Sequence, residues 1–327
     1  MYDINNIEVK FLFDQCQILD ISDEEYFSKK YEKYISNSGL SYINPKQNGG
    51  PYEYMTKKSI VGNDSLDVGS IIHLNILQDI VPNVLYIDRP SGNKIKITID
   101  RIIGEIKKGL SKEDAFRKVF EIGEYYSKNY ELFYKNVSEY ERYIESKIEN
   151  KYDYILSKKD CEVINNCISS LAYHRDNLLR PSGLDYYNEL TIFCPIEFYF
   201  KDCGVKNILN FKCKIDNFTV NNDLKILTLN DLKTTFRSMN SFNLSIEHYH
   251  YKRQIALYLY ILSNCFKKEE NYKLRANILA VSTSDYSTGV FKFNQKDIEE
   301  GSIEFMELIK RVGFHETLGY DRLIDDL

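Results

Sequence analysis

The chain has no tryptophan, no pair of cysteines at C-x-x-C spacing and no long apolar run. Its cysteines, at positions 16, 161, 167, 194, 203, 213 and 265, are odd in number. They read as reduced, mostly buried thiols of a cytosolic protein. No stretch approaches the roughly 20 apolar residues that a membrane span requires. The start, MYDINNIEVKFLFD, lacks the apolar core of a signal peptide. The expectation is a soluble cytoplasmic protein with no membrane partner. A net charge of -5 gives no overall positive field for nucleic acid. A DNA site would have to be a local basic groove on an acidic body. His174, His248, His250 and His315 show no spacing suited to zinc. Internal repeats and low-complexity segments are also missing.

What is present suits a sizeable core, in one large domain or two closely joined ones: 327 residues, 43% hydrophobic and 28% charged. The 27 tyrosines, with frequent Lys, Asn and Ile, fit an AT-rich coding bias better than a function. Ser22 and Glu25 suggest a capping box opening a short helix. From Tyr34 to Pro51, polar residues, Gly and Pro predict a loop. Leu66 to Leu77 has the spacing of a buried helix, with Ser65 or Asp67 as N-cap. Residues 80–100 read as extended or looped. Ser111 to Asn150 reads as strongly helical, with Phe116, Val119, Phe120, Gly123, Tyr126 and Tyr130 on one face. A further helix follows Ser157 and ends near Leu179. Strands then dominate, roughly Glu189–Phe200, Val205–Val220 and Ile226–Lys233. After them come a helix over Glu247–Cys265 capped by Ser245, strands at Leu274–Ser282 and Thr288–Phe293, and a helix at Gln295–Arg311. The pattern predicts two lobes, or one α/β core with a large helical elaboration. The division is a mostly helical part over 1–155 and a sheet-bearing part over 156–327.

One stretch concentrates the chemistry. Val205 to Phe236 reads as a β-hairpin turning at Asn221-Asn222-Asp223. Side chains repeat every two residues, so Phe211, Cys213 and Ile215 share one face and Lys212, Lys214 and Asp216 the other. On the second strand Leu227, Leu229, Asp231 and Lys233 line a single face. Two carboxylates and a lysine are costly on the inward side of a hairpin unless they pair or bind a metal. Mg²⁺ or Mn²⁺ suits carboxylate oxygens and keeps several waters, so Asp216 and Asp231 could suffice from adjacent strands. Lys233 is placed to orient an attacking water or to offset developing negative charge. In the following helix Gln254 and Tyr258, four apart, share a face. They would contact DNA or brace the site, while Lys252 and Arg253 add positive charge for a phosphate backbone. This is the chemistry of a metal-dependent phosphodiesterase.

Asp216, then Asp231-Leu232-Lys233, then Gln254-x-x-x-Tyr258 resemble the PD-(D/E)XK nucleases, in the RecB-like branch with its Q-x-x-x-Y helix. Gly69-Ser70-Ile71-Ile72-His73 resembles that branch's G-x-x-x-H helix, whose histidine is a metal ligand. Ser36-Asn37-Ser38-Gly39-Leu40 through Pro51 resembles the opening of RecE-type (exonuclease VIII-like) enzymes of phages and prophages. Glu189 occupies the place of that group's early acidic residue, with Glu197 a competitor on the same strand. The resemblance covers roughly residues 30–265. It implies a restriction-endonuclease-like core, a central mixed sheet flanked by helices, with a helical N-terminal elaboration. It implies a Mg²⁺- or Mn²⁺-dependent exonuclease digesting duplex DNA ends 5′ to 3′ for recombination, in a bacterial or phage-infected cell. Endonuclease or single-strand cleavage at the same site, or a non-catalytic DNA-binding or assembly module, stay open. On this reading His73, Asp216, Asp231 and the Leu232 carbonyl hold metal, and Glu189 serves a second ion or its waters. Lys233 activates water, and Lys212, Lys214, Lys252 and Arg253 hold phosphates. Ring-shaped homo-oligomers and a single-strand annealing partner go with the relatives. Ile215 replaces the proline of the family name. Some relatives carry an iron–sulfur cluster on one early cysteine and three after the Q-x-x-x-Y helix. Only Cys265 follows that helix here, so no iron–sulfur cluster is expected.

Overall fold

The structure, a computed structural model, describes residues 3–56, 64–123, 129–266 and 271–319. In chain order the elements are β1 (Ile7–Phe11), β2 (Gln17–Leu19), α1 (Asp23–Tyr26), α2 (Asn37–Ile43), α3 (Pro51–Met55), α4 (Asp64–Gln78), β3 (Val84–Tyr86), α5 (Asn93–Lys107), α6 (Lys112–Glu121), α7 (Tyr130–Ser138) and α8 (Glu141–Glu149). Then follow β4 (Tyr154–Leu156), α9 (Lys158–His174), a π-turn at Arg175–Leu179, β5 (Asp185–Phe200), β6 (Val205–Asn221), β7 (Ile226–Thr235), α10 (Phe242–His248), α11 (Tyr251–Cys265), β8 (Lys273–Ser282), β9 (Thr288–Lys292) and α12 (Gln295–Leu318). Two compact units result: residues 1–61, 76–78 and 169–327 form the first, and 62–75 with 79–168 the second.

The first unit is built on a seven-stranded sheet in the order β1-β5-β6-β7-β8-β9, with β2 also paired to β5. Every pairing is antiparallel except β7 with β8, which makes the sheet mixed. A parallel neighbour cannot be reached by a tight turn, so α10 and α11 form the crossover between β7 and β8. β6 and β7 are buried on both sides over much of their length, because both faces of the sheet are covered. Phe198, Phe211, Ile215, Leu229, Ile255, Leu257, Ile278 and Ile309 belong to one continuous core. α11 and α12 approach closely at Gly301, where an added Cβ would meet the Lys252 carbonyl oxygen at 2.2 Å.

The second unit has its own core. Ile95, Ile99 and Ile102 of α5 pack with Phe116 and Val119 of α6, Phe133 and Val137 of α7, and Ile144 of α8. Ser111 caps α6 by accepting from the Asp114 N–H. β3 and β4 pair in parallel beside this core. His73 lies on the part of α4 assigned to this unit.

Several sequence expectations need correction. Residues 1–61 group with the sheet, not with the helical part, because β1 and β2 add to β5. Asn37–Ile43 is helix where a loop was expected: Ser36 accepts from the Gly39 N–H, and Leu40 and Ile43 bury their side chains. Asn93–Lys107 is a 15-residue helix, although its run of Ile and Thr reads as extended. There the i, i+4, i+7 burial of Ile95, Ile99 and Ile102 overrides propensity. α4 already includes Asp64, so neither Ser65 nor Asp67 is its cap. The strongly helical stretch over 111–150 resolves into three helices among the described residues, with Gly123 at a positive φ after the first. Tyr126 lies outside the described residues. The helix expected from Glu247 is broken at His250, whose φ is 54°, into α10 and α11.

Arg253 is the clearest correction. Its guanidinium is fully buried and cannot grip a phosphate backbone. It donates to Asn37 Oδ1 at 3.0 Å, Ser41 Oγ at 2.7 Å, Gln47 Oε1 at 3.3 Å and Glu304 Oε1 at 3.2 Å. One cation therefore ties α11 to α2 and α12. Arg253→Ala should lower unfolding stability in urea by about 3–5 kcal/mol, because it removes a fully buried cation that joins three helices and leaves Glu304 only His250 and Asn44 as partners among the described residues. A loss under about 1 kcal/mol would show that the network is not structural.

Candidate active site

The site begins with strand register. In β5–β6 Asn188 pairs with Asn217 and Leu190 with Ile215, so Glu189 stands opposite Asp216. In β6–β7 the last pair is Asn217 with Asn230, so the next positions across are Asp216 and Asp231. Three neighbouring strands thus carry Glu189, Asp216 and Asp231 in one row. Neither step of the row is part of a ladder. Glu189 sits in left-handed backbone at φ 53°, which interrupts β5–β6. For a non-glycine residue that conformation costs about 1–3 kcal/mol, a price met where the surroundings over-determine it. The ladder between β6 and β7 stops before Asp216, while β7 stays paired to β8 throughout. In place of the ladder, Asp216 Oδ2 accepts the Leu232 N–H at 2.8 Å.

Lysines and an amide hold this row. Lys214 Nζ lies 2.9 Å from Glu189 Oε2 and also pairs with Asp23 of α1. Lys233 Nζ lies 2.5 Å from Asp231 Oδ2. Gln254 Nε2 donates to Asp231 Oδ1 at 2.9 Å. Asp231 is only 1% exposed, so both partners act on it away from bulk water. The Tyr251 ring lies 5.3 Å from Lys233 Nζ, a cation–π contact. Tyr258 is buried, and its burial, with Tyr26, Cys213, Asp231 and Asp216 nearby, holds its hydroxyl protonated.

The titrations follow from burial and like charge. Carboxylate oxygens of Glu189 and Asp216 approach within 4.8 Å. Burial first, and then Asp216, push the Glu189 carboxyl up to about 7 against Lys214. Burial also raises Asp216, with Lys233 and the Leu232 N–H opposing. Burial alone would lower Lys233, but Asp231 and Asp216 outweigh it and hold the group above the ordinary lysine value. Three carboxylates thus face two ammonium groups, and the negative surplus is buried. Hard oxygen donors with surplus charge are the chemistry that Mg²⁺ or Mn²⁺ fits.

The other expected site residues divide. Leu232 is buried on β7 between the acidic and basic members of the motif. Glu197 is eight residues along β5 from Glu189, about 26 Å away, and faces Lys10 and Ile208 in register. Lys212, expected at phosphate, is 6% exposed; its Nζ donates to the Tyr26 carbonyl at 2.7 Å and lies 4.4 Å from that ring. Lys214 points its charge at Glu189, not outward. Lys252 pairs with Glu247 and Glu300 at 2.9 Å and with Asp297 at 3.3 Å, which spends its charge within the protein. Asp23 had no sequence signal: it lies 191 residues from Lys214 and meets it only through the fold.

Residues 203–314 match a family model described as a PDDEXK-like domain of unknown function (DUF3799). That span contains Asp216, Asp231, Lys233, Gln254 and Tyr258. No curated protein matches the chain. The mixed α/β sheet flanked by helices is consistent with the restriction-endonuclease-like fold, and the match supports the PD-(D/E)XK superfamily.

Glu189 gives a prediction about stability. Its carboxyl releases its proton near the usual 4.5 when unfolded and near 7 when folded. The folded state binds more protons across that window, so this group's contribution is full at low pH and is lost as pH rises from about 4.5 to about 7. Scanning calorimetry in chelator should show the midpoint falling from pH 5 to pH 8, and falling less in Glu189→Gln. Equal slopes for the two proteins would contradict this account of Glu189.

Proposed function

We propose that the chain is a metal-dependent deoxyribonuclease that hydrolyses phosphodiester bonds from duplex DNA ends. The observation that carries this reading is the row of Glu189, Asp216 and Asp231 with Lys233 bound to its last member. Asp216 and Asp231 would hold the cation with the Leu232 carbonyl, and Glu189 would serve a second ion or its waters. The G-x-x-x-H resemblance adds His73 as a ligand. A bound Mg²⁺ or Mn²⁺ supplies Lewis-acid stabilisation of the charge that builds on phosphate oxygens. Lys233, held as an ammonium by its two carboxylates, donates: it orients the attacking water and offsets negative charge rather than taking a proton. Gln254 keeps Asp231 turned so that its other oxygen meets Lys233. Tyr258 stays a neutral phenol beside the row.

The finer reading rests on the RecE-type resemblance of Ser36 through Pro51 and of Glu189. It is 5′-to-3′ digestion of linear duplexes for recombination, with a ring-shaped homo-oligomer and an annealing partner to take the exposed strand. Purified protein with Mg²⁺ should degrade linear duplex DNA and leave closed circles intact. Lys233→Ala and Asp216→Asn should each lower the rate by about 10²–10³-fold or more. Undiminished digestion by either variant would remove the mechanism, and cutting of closed circles would replace the exonuclease by an endonuclease.

A further inference from the structure

Beside the acidic row runs a second row that no part of the proposed chemistry uses. Asn188, Asn217, Asn230 and Asn277 stand opposite one another on β5, β6, β7 and β8. Their amides form a head-to-tail chain. Asn277 Nδ2 donates to Asn230 Oδ1 at 2.9 Å, Asn230 Nδ2 to Asn217 Oδ1 at 2.7 Å, and Asn217 Nδ2 to Asn188 Oδ1 at 2.7 Å. Asn188 Nδ2 ends the chain on the Leu77 carbonyl in the last turn of α4. Asn217 also donates to the Leu179 carbonyl at 2.8 Å, in the π-turn. Asn217 and Asn230 have no exposure to solvent.

Three of the four amides flank a carboxylate in sequence: Asn188 before Glu189, Asn217 after Asp216, Asn230 before Asp231. Adjacent residues of a strand point to opposite faces, so the two rows lie back to back across the sheet. A one-residue slip of any strand would turn its asparagine away from the chain and its carboxylate away from the row. The register therefore has to be held where the ordinary backbone ladder is interrupted, at Glu189 and after Asn217. Chained amides in a dry interior polarise one another and leave few alternative arrangements satisfied.

We propose that this asparagine chain is a positioning device: it fixes the spacing of Glu189, Asp216 and Asp231 so that the row can bind divalent metal. The inference rests on the metal-dependent reading of the site. Its end on β8 gives a control, because the residue beside Asn277 in the acidic row is Ile278, not a carboxylate.

The test is Mn²⁺ titration by calorimetry at a temperature where every protein is folded by circular dichroism. The parent should bind Mn²⁺ at millimolar concentration or below. Asn188→Ala, at the half-buried end of the chain, should weaken that binding about tenfold, in the range seen for groups that orient metal ligands. Asn277→Ala removes one amide contact from the other end and should leave affinity within about twofold. Equal effects of the two variants, or an unchanged affinity in Asn188→Ala, would overturn the positioning role while leaving the metal site standing. A parent that bound no Mn²⁺ would overturn the metal-dependent reading itself, and the role assigned to the chain with it. Asn217→Ala, where it folds, should show the largest loss.

Discussion

The burial of three carboxylates in a row across β5, β6 and β7 is the constraint that the first unit is organised to contain. Burial removes the water that would screen Glu189, Asp216 and Asp231, so each needs a specific partner. Lys214 answers Glu189, the Leu232 N–H answers Asp216, and Lys233 with Gln254 answers Asp231. Burial raises the carboxyls of both Glu189 and Asp216, and at Glu189 the charge of Asp216 adds to it. A structure concerned with stability alone would do better with apolar groups at these positions. On the proposed reading, stability is yielded to chemistry there.

Topology and site answer to the same strand. β7 leaves β6 at the acidic row yet remains paired to β8 in parallel, and a parallel pair demands a crossover. α11, the second helix of that crossover, carries Gln254 to Asp231 and Tyr251 to Lys233. One helical step from Gln254, about 100° around the axis, Arg253 ties the same helix to α2 and α12. The helix that braces the site is thus itself fixed by a buried cation.

The sequence made the hairpin legible because alternation in β6 and β7 is regular and the turn at Asn221-Asn222-Asp223 is strong. Asp216, Asp231 and Lys233 could be placed on faces from that alone. Depth could not be read. Lys212, Lys252 and Arg253 look like a basic surface in sequence, but the fold buries or pairs each through residues distant along the chain: Tyr26, Asp297 and Asn37. The helix Asn93–Lys107 was hidden by β-branched residues that favour extended backbone locally and were overruled by packing. The left-handed turn at Glu189 left no trace either, since glutamate has no preference for that conformation. The asparagines opposite one another at 188, 217, 230 and 277 form a pattern only once register is known.

The central claim is that Asp216 and Asp231, from strands that separate beside them, share one divalent cation. Anomalous diffraction from crystals grown with Mn²⁺ measures this directly. The account predicts a peak within coordination distance, about 2.0–2.3 Å, of oxygens from both carboxylates. A peak bound by neither aspartate, or none at saturating Mn²⁺, would contradict it.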